Sequence, residues 1–81
     1  MIERWASENH LEFFDGNTRV AEVKHTKGGR LSAGMPKGWA WRVYIDSPTN
    51  PRRWVGAASY REAKQDVQNW FTERAMGRVQ P

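Results

Sequence analysis

The chain has 81 residues, a formal net charge of +4 and no cysteine, which excludes disulfide staples and thiolate metal sites and leaves one domain whose thin core must hold by packing. No apolar run approaches the roughly 18 residues of a membrane span, and MIERWASENHLEFF carries acids where a secretory leader wants a basic start, so the expectation is a cytoplasmic protein. The charge is uneven, net −3 over residues 1–18, +6 over 19–53 and +1 thereafter, which makes the middle a basic block suited either to an anionic partner or to a plain solvated face.

Residues 1–10 read as an N-terminal arm. Leu11 to Phe14, then DGN, then Thr18 to His25 read as a hairpin, because Asp, Gly and Asn tolerate the left-handed backbone of a tight reversal. TKGGRLSAGMPKG, residues 26–38, has glycines, a proline and three cations without periodicity, and reads as a loop. Trp39 to Ile45 alternates. Trp39, Trp41, Val43 and Ile45 fall on one face, and Ala40, Arg42 and Tyr44 on the other. DSPTNP breaks the pattern and Arg52 to Ala57 resumes it, with Val55 and Ala57 inward and Arg52, Trp54 and Gly56 outward. Ser59 with Glu62 fits a capping box, in which the glutamate reaches back to the cap's own N–H, and opens a helix. Tyr60, Ala63, Val67, Trp70 and Phe71 share one side of that helix, and Gly77 ends it.

The expected architecture is a single α+β domain over 1–81, with an antiparallel meander of three or four strands in 11–57, one C-terminal helix at 59–76, and a tail at 77–81. The helix covers the Trp39, Trp41, Val43 and Ile45 face. That leaves Arg42, Tyr44, Arg52 and Trp54 together on the outer face, an aromatic pair among guanidinium groups. In an alternative arrangement Trp54 is covered by Trp5 or by the Phe13 and Phe14 pair.

Catalytic and metal chemistry lack convergent groups. His10 and His25 stand fifteen positions apart, neither in a spacing that places two ligands on one helix face. Ser7, Ser32, Ser47 and Ser59 have no nucleophile-elbow context, and Gly28 and Gly29 lack the GK[ST] ending of a phosphate loop. Glu62 and Asp66 are four apart and read as a solvated helix flank. The expectation is a binding protein with no metal, no cofactor and no enzymatic activity.

From Gly38 to Phe71 the aromatic-led strand WAWRVYID, the strand RRWVG and the helix opening SYREAKQDV resemble two groups of DNA-binding domains: the Apetala type of plant transcription factors and the arm-binding type of tyrosine recombinases. That resemblance implies a sheet whose outer face enters the major groove, with Arg42, Tyr44, Arg52 and Trp54 at bases and phosphates. The same segment is similar to short proteobacterial and prophage domains with a WxWxI strand and an (S/T)xREA helix, which carry no established activity. Two functions follow as expectations. One is nucleic-acid binding through the outer face and the cations Lys24, Lys27, Arg30 and Lys37. The other is a protein-interaction module, such as a phage or mobile-element regulator of a host protein, because Trp, Tyr and Arg also dominate protein hot spots. A monomer is expected, or a weak homodimer formed through an unpaired sheet edge.

Overall fold

Alternation and turn chemistry build a five-stranded antiparallel sheet in plain meander order, followed by one helix. The computed structural model describes residues 1–26, 34–44 and 49–77. The strands are β1 (Ile2–Ser7), β2 (His10–Asp15), β3 (Thr18–His25), β4 (Trp39–Val43) and β5 (Val55–Ala57), and the helix is α1 (Tyr60–Ala75). This is the expected α+β class with one strand more than the three or four anticipated.

The extra strand is β1, in the segment read as an arm. All six of its residues are exposed, so it carries none of the apolar alternation by which a half-buried strand announces itself. Backbone pairing with β2 holds it, and its helix-facing side chains bind the rest of the fold. Glu3 pairs with Lys64 of α1 at 2.7 Å, and the Trp5 ring meets Tyr60 edge-on at 6.2 Å.

Gly16, at φ 63°, makes the turn between β2 and β3, in the left-handed region where a Cβ would be strained. In-register pairs then stack the core: Leu11 opposite Val23, Phe13 opposite Ala21, Val23 opposite Trp41 and Ala21 opposite Val43. These six residues, with Ala63 and Val67 of α1, form the buried cluster, and Trp39, Trp70 and Phe71 pack on its rim. Trp41 and Val43 thus lie beneath the helix as their alternation predicts, while Ile45 lies outside the described residues. The indole of Trp41 donates from Nε1 to Asp66 Oδ2 at 3.1 Å, which satisfies its one polar atom and fixes α1 over β4.

Ser59 caps α1, its Oγ accepting from the Glu62 N–H at 3.1 Å. Glu62 Oε2 accepts from the Ala58 N–H at 3.1 Å, one residue before the donor expected in a capping box. The helix ends as anticipated: Gly77 adopts φ 76° and donates its N–H to the Arg74 carbonyl. Among the described residues no helix is long and apolar enough to cross a membrane. Replacing Ser59 by alanine is expected to cost about 1 kcal/mol and by glycine only a few tenths, read as a lower urea midpoint with an unchanged m-value.

Candidate nucleic-acid interface

The sheet face turned away from α1 is organised by one carboxylate. Register places Glu12, Glu22 and Arg42 in a row across β2, β3 and β4, and Glu22 is only 3% exposed. Its Oε1 accepts from His10 Nε2 at 2.8 Å, and its Oε2 accepts from Arg42 Nε at 2.8 Å and from the Tyr44 hydroxyl. Because an ionised carboxylate only accepts, the bond to His10 places a hydrogen on Nε2. Beside this set, Arg19 Nη1 donates to Glu12 Oε2 at 2.9 Å.

Cations and rings alternate across the same face. The Arg42 guanidinium lies 4.3 Å from the Trp54 centroid and 5.4 Å from that of Tyr44, and Arg19 lies 4.9 Å from Tyr44. Such contacts contribute about 0.5–2 kcal/mol each, more as they lose water. Here they are partly dry, with Tyr44 at 5% and Trp54 at 8% exposure.

Burial pushes the Glu22 carboxyl up, but the hydrogen bonds from His10, Tyr44 and Arg42, together with the Arg42 charge, more than offset it and hold the group at about 2 against an ordinary 4.5. Burial and the hydrogen bond to Glu22 push the Tyr44 hydroxyl from 10.0 to about 12.

The sequence-predicted residues therefore divide. Arg42, Tyr44 and Trp54 share the outer face as expected, but they are not turned to water: both rings are buried and Arg42 is engaged with Glu22. The cover over Trp54 is not the N-terminal segment, since β1 lies at the opposite edge of the sheet and Phe13 belongs to the helix-side core. Part of the outer face is roofed by the chain just before β4. Pro36 Cβ lies 3.4 Å from where a side chain at Gly56 would begin, and Ala40, opposite Gly56, is fully buried.

Arg52 sits at the sheet margin. Trp41 pairs with Val55, and Tyr44 bridges to Pro51, so three steps along β4 face four along the returning chain. The return carries one extra residue, a bulge, and the Arg52 N–H donates to the Val43 carbonyl at 2.8 Å within it. Simple alternation would put Arg52 and Arg53 on opposite faces. Instead both line the groove with Gly34, Arg42, Pro51 and Trp54, about 570 Å³ in volume, and both line a second, apolar groove on the helix side. Arg52, Arg53 and Lys37 are exposed and Lys24 is half-buried; no carboxylate pairs with any of them among the described residues. Lys27 and Arg30 lie outside the described residues. Trp54 Nε1 is buried with no acceptor among the described residues, an omission that ordinarily costs about 1–3 kcal/mol.

Sequence reasoning did not single out Glu22, His10, Glu12 or Arg19. The signal was available in VAEVK, whose alternation turns Glu22 to the face that Arg42 occupies one strand away. Among the described residues no group of three or more His, Asp or Glu side chains is placed to hold a metal. No family model, curated protein or solved structure matches the chain.

The folded-state value of Glu22 lies below its ordinary value, so its stabilisation is complete above about 4.5 and is lost as pH falls toward 2. Tyr44 has the opposite sense, its contribution fading as pH rises from 10 through about 12. Thermal melts across pH should show both limbs. Glu22→Gln should remove the acid limb and destabilise the fold at neutral pH by about 3 kcal/mol, because Arg42 keeps a partly buried charge without its counter-ion.

Proposed function

We propose that this chain is a small non-catalytic nucleic-acid-binding protein that takes the phosphate backbone along its β5 margin. The observation that carries the reading is the bulge, which brings both Arg52 and Arg53, exposed and with no carboxylate paired to them among the described residues, to the groove beside the Arg42 and Trp54 stack. A neighbouring pair of guanidinium groups suits phosphate oxygens, since each offers a planar fork of donors. Lys37 adds exposed charge close by, after the Pro36 that packs over Gly56. Lys24, Lys27 and Arg30 belong to the same basic stretch of sequence.

This reading departs from what the Apetala-type and arm-type resemblance implies. In those families the open sheet face meets the groove; here that face is internally paired, and the contact shifts to the margin. Arg42 and Trp54 act as the wall of the phosphate site, and Tyr44 acts through its hold on Glu22. The protein works as a monomer or weak homodimer in a bacterial or prophage cytoplasmic setting, where nucleic acid is accessible. The protein-interaction alternative draws on one feature, the edge of β5, which no further strand pairs among the described residues and where Val55 is 42% exposed, an edge that an extended acidic segment of a host protein would complement.

With about three phosphate contacts, log affinity should fall against log salt with a slope near −2 on single strands and near −3 on duplex. Arg52→Ala/Arg53→Ala, a change of two exposed side chains, should leave the melting temperature nearly unchanged. It should flatten the slope by about 1.4 on single strands. Fluorescence anisotropy of a labelled oligonucleotide checks both, and absence of binding at low salt, or binding indifferent to salt, overturns the proposal.

A further inference from the structure

Resting on the nucleic-acid reading, we infer that the β5 margin is a two-part nucleotide site that selects single strands: a phosphate lies in the groove walled by Arg42 and Trp54, and an unpaired base lies in the apolar groove walled by Val55 and Trp70. The two grooves share Arg52 and Arg53 as their common ridge. One is cationic and polar. The other, about 290 Å³, is completed by Trp41, Val43, Val55 and Trp70. Among the described residues neither is lined by a carboxylate, so the ridge favours an anion on either flank.

A nucleotide has this same division, a charged phosphate a short distance from a flat apolar ring. In duplex DNA the ring faces are stacked away inside the helix, and a protein reaches only base edges and phosphates. An aromatic groove alongside a phosphate site is therefore of use only to unpaired bases, which stack on aromatic side chains in single strands.

Trp70 is held for that role. Its ring meets Phe71 edge-on at 5.0 Å and 82°, which limits its rotation, and it remains half-buried rather than closed. Arg74 lies 5.4 Å from its centroid and braces the ring further. On the other flank, the Trp54 N–H is a donor without an acceptor among the described residues. The same residue lines the cationic groove beside Arg42. Stacking thus moves from Tyr44 and Trp54, which are closed, to Trp70, which is not.

The test compares three probes of about 12 nucleotides by anisotropy and tryptophan quenching: oligo(dT), an abasic oligomer with the same phosphodiester backbone, and a duplex. Oligo(dT) should bind tightest and quench fluorescence. Trp70→Leu should weaken oligo(dT) by about 5- to 150-fold, the equivalent of one stacked base, and leave the abasic oligomer unchanged. Trp70→Phe, which keeps a ring, should bind close to the parent chain. Arg52→Ala/Arg53→Ala should weaken all three probes. If the abasic oligomer or the duplex binds as tightly as oligo(dT), the base groove is refuted while the nucleic-acid reading stands. If no probe binds at low salt, both fall, and capture of poly-glutamate instead would assign the margin to a protein partner. Should Trp70→Leu prove unfolded by thermal melting, the comparison of abasic with base-bearing oligomer on the parent chain decides alone.

Discussion

A buried carboxylate in a protein this small is tolerated only where donors replace the water its oxygens lose, and Glu22 meets that condition by drawing on the strands at either side of it. His10 comes from β2, and Arg42 and Tyr44 come from β4 and its continuation, so the charge on β3 ties its neighbours on both sides. The orientation of Arg42 then follows, since with Nε committed to Glu22 its plane is left lying over Trp54 and Tyr44. What alternation alone presents as an open recognition face becomes a second, polar and aromatic layer of packing. A domain this short buries only about 60% of the surface its unfolded chain exposes. Its large rings are accordingly recruited on both sides of the sheet.

With α1 on one face and the Glu22 cluster on the other, free chemistry is left at the margins. The two edges differ. β1 is exposed along its whole length but is tethered to the helix by Glu3 and Trp5. The opposite edge carries the bulge and the arginine pair, and it separates an apolar groove from a cationic one. The two grooves meet there because one additional residue in the return from β4 turns a chain that alternation would send to two faces into a ridge between them.

Much of the fold was legible because its signals are local. DGN marks the first reversal, Trp39 to Val43 shows period two without interruption, and Ser59, Glu62 and Gly77 bracket the helix. β1 was not legible, because an edge strand wet on both faces has no reason to alternate. The bulge was hidden as well. Arg52 to Ala57 reads as a regular strand in isolation, and only its pairing with β4 exposes the surplus residue. The burial of Tyr44 and Trp54 depends on a carboxylate twenty positions from Arg42, a relation that no window along the chain contains. The candidate site was thus legible as a set of residues and a face, but not in its accessibility.

The neck between β3 and β4 has a consequence for how such a protein can change. The Thr26 N–H donates to the Gly38 carbonyl at 3.1 Å, and the Gly38 N–H donates to Thr26 Oγ1 at 3.0 Å, so the chain leaves the sheet and re-enters it through a clasp. A clasped neck fixes strand register independently of how many residues separate Thr26 from Gly38. Lengthening that connection is inexpensive, since each doubling of a loop costs only about 0.6 kcal/mol. New cations can therefore be inserted there while the clasp keeps the pairing of β3 with β4.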